Sequence, residues 1–82
     1  MNFQEICHHL EENACVIDHY EDDIYYASNL LNNQMCQISV ENKFEDLMVV
    51  HICYELGVPA TPELTNELDN YREFRDKQLS PN

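Results

Sequence analysis

One segment of this chain, NKFEDLMVVHICYEL from Asn42 to Leu56, constrains the fold more than any other. On a helix, which turns by about 100° per residue, its apolar side chains cover most of the circumference. The residues that interrupt them are few: Glu45, Asp46, His51 and Glu55. A helix that is apolar nearly all round is buried on more than one side. We therefore expect it to pack between a sheet and a second helix, or between a sheet and a second copy of the chain.

The length of 82 residues indicates a single small domain with a modest core. A chain of this size buries only a little over ~60% of its unfolded surface. Its apolar content of 44% is nevertheless enough for a globular core. One glycine and three prolines indicate regular elements joined by short turns. We find no internal repeat and no second domain.

The chain is strongly acidic, with sixteen Asp and Glu against four Lys and Arg, and a formal charge of −12. Lys43 is the only base between Met1 and Tyr71. Such a surface repels phosphate, so direct binding to nucleic acid or to an anionic membrane is disfavoured. A dense negative field attracts a basic protein surface. The plainer alternative is that the acidity serves solubility alone.

Four cysteines, at positions 7, 15, 36 and 53, contain no CxxC pair. The N-terminal stretch is polar and acidic, unlike a signal peptide, and no apolar run approaches the length of a membrane span. These features predict a cytoplasmic protein with buried, reduced thiols. The even number of cysteines leaves an oxidised framework open.

Local signals at the N-terminus predict a helix over residues 2–12. Asn2 can cap it, with Glu5 completing a capping box. Four apolar residues then fall at helical spacing: Phe3, Ile6, Cys7 and Leu10. Asn13 is the expected left-handed stop.

Three segments with strand character follow, at residues 14–20, 24–28 and 34–41. Their side chains alternate between apolar and polar or are rich in β-formers. The acidic run 21–23 breaks the first pair, and residues 29–33 form the second turn. Short sequential strands with tight connections predict an antiparallel meander.

Two helices complete the chain. Asn42, with Glu45 as capping-box partner, predicts the start of a helix over 43–56, and Gly57 ends it. Thr61 and Pro62 begin a last helix over 62–78, and residues 80–82 are expected to form a frayed tail. The fold class is therefore α+β in the order α-β-β-β-α-α. A three-stranded antiparallel meander with helices packed on one face is the simplest way to bury these patterns.

No motif predicts an enzyme, a metal site or a cofactor. The His and Cys residues lack the spacing of a structural zinc site. His51 and Cys53 fall about 200° apart on a helix and cannot act together. Gly57 is the only glycine, so there is no glycine-rich loop to hold phosphate. These observations favour a non-catalytic protein.

Tyrosines beside carboxylates are the strongest candidate for a binding site. Aromatic rings are enriched at protein interfaces, and tyrosine adds a hydrogen-bond donor. The alternative is that these tyrosines stack on the helices while the acids merely break the strand. The predicted partner-binding residues lie within seven positions of one another: Tyr20, Glu21, Asp22, Asp23, Tyr25 and Tyr26.

Three resemblances of pattern accompany these observations. The element order over residues 2–56 resembles the double-stranded-RNA-binding-like fold of HicA-type toxins, which cleave mRNA. Those toxins are basic and carry a glycine and a catalytic histidine on the second strand, where this chain reads DIYYAS. The architecture and acidity are also similar to small anti-CRISPR proteins that act as DNA mimics. The stretch TPELTNELD at 61–69 resembles the SQELD-bearing helix of small phosphatases of sporulation regulators, which are helical hairpins without strands.

The favoured hypothesis is an acidic, regulatory protein-interaction module that binds a basic protein surface. A sharper version is a nucleic-acid mimic that occupies a DNA- or RNA-binding cleft. A second hypothesis is a structural homodimer that buries Val49, Val50 and Cys53 of both copies against each other. The third is a degenerate RNA-cleaving enzyme that uses His19 or His51.

Overall fold

The computed structural model describes residues 1–79 and has the predicted order of elements. The predicted tail at 80–82 lies outside these residues. The α+β class and the antiparallel meander are confirmed. The elements are helix α1 (Phe3–Glu11), strands β1 (Cys15–Glu21), β2 (Ile24–Asn29) and β3 (Met35–Ser39), helix α2 (Asp46–Leu56), and helix α3 (Thr65–Leu79), which a 3₁₀ turn (Pro62–Leu64) precedes.

The sheet has the strand order β1-β2-β3 and two unlike faces. Because side chains alternate along each strand, the pairing of Ile17 with Ala27 and of Ala27 with Cys36 puts these three on one face. This inner face contacts α1 and α2. The other face, here called the outer face, consists of Val16, Asp18, Tyr20, Ile24, Tyr26, Ser28, Met35, Gln37 and Ser39.

Helix α2 lies between the sheet and α3, which confirms burial on more than one side. Val49, Val50 and Cys53 are 3%, 1% and 1% exposed and belong to the core of a single chain. The predicted homodimer interface built on these three residues is therefore wrong, because the sheet and α3 already cover them. Leu47 and Met48, in contrast, are 70% and 47% exposed.

Hydrogen bonds between neighbouring residues define both ends of α1, and the C-terminal end differs from the prediction in one respect. The capping box is confirmed: Asn2 Oδ1 accepts from the Glu5 amide at 2.8 Å, and the Glu5 carboxylate accepts from the Asn2 amide at 2.9 Å. The left-handed residue after the helix is Ala14 (φ 65°) rather than Asn13. Asn13 instead donates from Nδ2 to the carbonyl of His9 at 2.8 Å, and so caps the last turn.

The predicted start of α2 is wrong by three residues. Glu45, with extended backbone, precedes the helix, and Asn42 plays no part in its cap. The reason is tertiary: Phe44 is 2% exposed in the core, and its amide donates to the carbonyl of Met1 at 2.7 Å. These contacts hold residues 41–45 in an irregular connection, and β3 ends at Ser39 rather than at Glu41.

The remaining boundaries follow the sequence signals closely. Gly57 ends α2 in the left-handed conformation (φ 67°), as predicted. Thr61 and Pro62 start the last helical segment, whose first turn is 3₁₀ rather than α. Leu64 and Leu68 are the buried residues of this segment, and they fix it against α2.

Candidate interaction surface

No helix covers the outer face of the sheet within residues 1–79. None of its nine side chains is fully buried, although the same strands bury their opposite face under α1 and α2. Val16, Tyr20 and Met35 are 39%, 62% and 60% exposed. Apolar and aromatic side chains on an uncovered face are typical of an interaction surface.

An edge-to-face pair of tyrosines lies on this outer face. The rings of Tyr20 and Tyr26 are 5.3 Å apart at 90°. The Tyr26 hydroxyl donates to Oε1 of Gln37 at 3.2 Å, which ties the pair to β3. Edge-to-face packing restricts both rings, so the exposed face of Tyr20 is presented in a defined orientation.

The turn between β1 and β2 holds the predicted acidic run beside this pair. Glu21, Asp22 and Asp23 are all exposed. His19 Nε2 donates to the carbonyl of Asp22 at 2.9 Å, and the carbonyl of Asp23 accepts from the Val40 amide at 2.7 Å. Asp22 has φ 47°, a conformation that Asp and Asn adopt more readily than most residues. The backbone of the turn is thus anchored by two hydrogen bonds, and it carries three exposed carboxylates beside the tyrosine pair.

Tyr25 is separated from the other five predicted residues. Its side chain lies on the inner face, where its ring is 4.9 Å from Phe3 of α1 and 4.9 Å from His19. The structure therefore brings Tyr20 and Tyr26 together and places Tyr25 among the helices, in line with the alternative that a tyrosine stacks there. Strand alternation alone distinguishes Tyr25 from Tyr26.

Asp18, Met35 and Gln37 belong to the same outer face, although sequence reasoning did not include them. Asp18 pairs with Tyr26, which in turn pairs with Gln37 across the sheet. The alternation within each strand was visible in the sequence. That alternation already puts Asp18 on the face of Tyr20. The register between strands was not visible, and only the register brings Met35 and Gln37 to the face of the tyrosine pair.

A concavity separate from the outer face lies between the β3–α2 connection, α2 and α3. Its volume is about 540 Å³, and its walls include Phe44, Leu47 and Met48 together with Glu41 and Glu45. His51 and Tyr71 form its far end, where the Tyr71 hydroxyl lies 2.8 Å from Nδ1 of His51. The neighbour of His51 is thus a tyrosine hydroxyl, which also accepts a hydrogen bond from Arg75 Nη1 at 3.0 Å.

The four cysteines are free thiols. Burial raises the pKa of Cys36 to about 11, with a smaller effect from Glu55, and burial likewise raises the pKa of Cys53 to about 11. The pKa of Cys7 is also raised, by burial and then by Glu11. Because the thiolate is the nucleophile, thiols held in the protonated form react poorly.

Within residues 1–79, no three His, Cys, Asp or Glu side chains are arranged to hold a metal ion. No helix in that range is both long enough and apolar enough to cross a bilayer. Comparison of the chain with protein-family models, with curated proteins and with solved structures gives no match. The geometry of the outer face is thus the basis for any functional inference.

Proposed function

We propose that this chain is a non-catalytic interaction module whose outer face and β1–β2 turn bind a basic surface of another protein. The observation that carries the proposal is the exposed Tyr20–Tyr26 pair beside the anchored acidic turn. The partner is defined by its chemistry: an arginine-rich or lysine-rich protein segment.

Arginine fits this surface in two ways. A guanidinium group can stack on an exposed tyrosine ring, which contributes about 0.5–1 kcal/mol at a surface site. Its planar fork can at the same time hydrogen-bond a carboxylate. Tyr20 offers such a ring, and Asp18 and Glu21 flank it along β1.

The distribution of charge supports the same partner. The three strands and the turns between them contain no Lys or Arg, whereas they carry Asp18, Glu21, Asp22 and Asp23. Lys43 lies in the β3–α2 connection, and the other three bases lie in α3. A cationic segment that approaches the sheet therefore meets a field of one sign, which speeds its association.

Titration of the protein with a flexible decapeptide of alternating Arg and Ser, followed by NMR, tests the proposal. Neutralising the turn by Asp22→Asn together with Asp23→Asn should weaken binding several-fold and lower its dependence on salt. Asparagine is chosen because it also tolerates the positive φ of residue 22. Tyr20→Ala should weaken binding about threefold through loss of the cation–π contact.

The matched control is Glu11→Gln together with Glu12→Gln at the C-terminal end of α1, which changes the net charge by the same amount. This variant should bind within about twofold of the parent protein, because its acids lie away from the outer face. Equal weakening by both double variants would show that the peptide responds to overall charge and would refute a site at the turn. Shift changes confined to α2 and α3 would refute it as well.

A further inference from the structure

We propose that two copies of this chain associate through the outer edge of β3, by antiparallel pairing of the two strands about a two-fold axis at Gln37. The inference is independent of the proposed function, since it uses the backbone of β3 rather than the tyrosine pair and the acidic turn.

The hydrogen-bond pattern shows which backbone groups of β3 face outward. The Asn29 amide donates to the Gln34 carbonyl at 2.9 Å, and the Val40 amide donates to the Asp23 carbonyl at 2.7 Å. In an antiparallel ladder hydrogen-bonded pairs alternate, so even-numbered residues of β3 bond to β2. The amide and carbonyl groups of Met35, Gln37 and Ser39 therefore point away from the sheet.

These outward groups have no strand partner within residues 1–79, since β3 is the last strand of the sheet. One weak contact reaches them: the Cys36 thiol lies 3.5 Å from the Gln37 carbonyl. The side chains of the same three residues are exposed on the outer face. A row of unpaired donors and acceptors is a template for another strand.

The two edges of the sheet differ in their protection. Proteins block edge strands with charges, prolines, bulges or a covering element. Strand β1 carries Asp18 and Glu21 and has a register irregularity between His19 and Glu21. Both edge strands contact a helix, β1 with α1 and β3 with α2, so this contact does not distinguish them. Strand β3 reads MCQIS, with no charge and no proline, and its pairing with β2 is regular. The β3 edge thus lacks three of these protections.

The uncharged sequence of β3 lets this strand face its own copy, which is the reason for assigning a second copy as the occupant. Two chains of formal charge −12 repel each other, so a self-contact is favoured only where no carboxylates oppose each other. The β3 strand meets this condition because it carries no charged residue. An antiparallel pair centred on Gln37 sets Met35 of each copy opposite Ser39 of the other and opposes no like charges.

The proposed strand pairing involves few residues, so the association between two chains is expected to be weak. It adds about six backbone hydrogen bonds. The net charge acts against it at longer range, and salt screens that repulsion. Self-association is therefore expected to be weak and to strengthen with ionic strength, opposite to the salt dependence of a basic partner on the acidic turn.

Sedimentation equilibrium of the full chain tests the proposal. The weight-average mass should rise above 9.7 kDa as the protein concentration increases, and more in ~0.5 M than in ~0.05 M sodium chloride. Gln37→Pro should abolish the rise because it removes an outward amide, and an edge strand tolerates proline at such a position. Gln37→Ala is the matched control: it also loses the contact with Tyr26, keeps the amide, and should associate as the parent does.

A second pair of variants tests the axis itself and holds even if Gln37→Pro fails to fold. Gln37→Lys and Gln37→Glu should each associate less than the parent, because like charges meet at the two-fold axis. An equimolar mixture should associate more than either variant alone, since unlike charges then meet. A constant monomer mass in the parent at every concentration and salt would overturn the proposal. Equal association of the Pro and Ala variants, or a mixture no better than its components, would also overturn it.

Discussion

The hydroxyl of Tyr71 on α3 lies 2.8 Å from Nδ1 of His51 on α2 and joins the last helix to the central one. Nη1 of Arg75 donates to the same oxygen at 3.0 Å, which leaves the hydroxyl hydrogen free for His51. The guanidinium also lies 5.1 Å from the ring centre of Tyr54. Leu68 is the one buried residue of α3 itself, and this polar cluster adds a second set of contacts between the two helices.

Replacing Tyr71 with Phe should lower the free energy of unfolding by about 1–2 kcal/mol, because two hydrogen bonds lose their shared partner. Urea unfolding followed by circular dichroism measures the change. Tyr54→Phe is the control: within residues 1–79 the Tyr54 hydroxyl makes no hydrogen bond, so its loss should change stability by less than about 0.5 kcal/mol. A loss for Tyr71→Phe no larger than that of the control would show that the Tyr71 hydroxyl contributes little and that ring packing joins the two helices.

Asn29 connects the β2–β3 hairpin to the end of α2. It is 4% exposed, its Nδ2 donates to the Leu56 carbonyl at 2.8 Å, and its Oδ1 accepts from the Leu31 amide at 2.9 Å. Asn29→Asp should destabilise the fold by about 2–4 kcal/mol, because a carboxylate oxygen then faces the Leu56 carbonyl in a buried position.

Thermal and urea unfolding of this variant should be compared with those of Asn33→Asp. Asn33 is exposed at φ 62°, a conformation that Asp also tolerates, so the control should stay within about 0.5 kcal/mol of the parent. A small effect at position 29 would mean that the hairpin and α2 are less tightly coupled than these contacts indicate.

Gly57 is required by its backbone conformation, with φ 67°. Gly57→Ala should cost about 1–2 kcal/mol, since a β-carbon disfavours the left-handed region. The added carbon would also meet Asn32 Nδ2 at 2.8 Å and Gln34 Oε1 at 2.9 Å, two flexible side-chain ends that can move. Gly57→Asn adds the same carbon but tolerates positive φ better, so chemical denaturation should show a smaller loss for it. Equal losses would assign the cost to the clash instead.

Alkaline pH should destabilise the protein through its buried thiols. Cys36 and Cys53 ionise near 9.0 when unfolded, whereas burial raises their pKa in the folded state to about 11. The unfolded state therefore holds fewer protons between these values, and the free energy of unfolding falls as pH rises. The fall is at most about 1.4 kcal/mol per pH unit for each thiol.

Urea denaturation between pH 8 and about 11 measures this slope. The variant Cys36→Ala with Cys53→Ala is less stable at every pH because it leaves cavities, yet its slope should be shallower. The comparison of slopes removes the contribution of tyrosines and lysines, which both proteins share. An unchanged slope would show that the two thiols do not set the alkaline limit.

The elements were predictable where local chemistry decides them. The Asn2–Glu5 capping box, the Gly57 stop and the Thr61-Pro62 start each depend on a few neighbouring residues, and each is found where the sequence indicates. The start of α2 was not predictable in this way. Asn42 and Glu45 form a valid local cap signal, but the burial of Phe44 against the N-terminus outweighs it.

The candidate surface was predictable only in part. Its members depend on which face of the sheet each side chain occupies and on which residues are paired between strands. Tyr25 and Tyr26 are adjacent in sequence and lie on opposite faces, and Gln37 joins the surface only through the β2–β3 register. On α3, Phe74 and Arg75 are neighbours in sequence with opposite environments. Phe74 is 58% exposed, whereas Arg75 lies against Tyr54 and Tyr71, because the guanidinium finds a ring and a hydroxyl there.

The edge-to-face tyrosine pair has a spectroscopic consequence. The chain contains no tryptophan, so its intrinsic ultraviolet emission comes from five tyrosines alone. Tyr20 and Tyr26 lie on the open side of the sheet, while Tyr25, Tyr54 and Tyr71 are half-buried among aromatic neighbours near the helices. An uncharged quencher such as acrylamide reaches Tyr20 most readily, because this ring is 62% exposed. Its emission is thus an unlabelled optical reporter of whatever covers that side of the molecule.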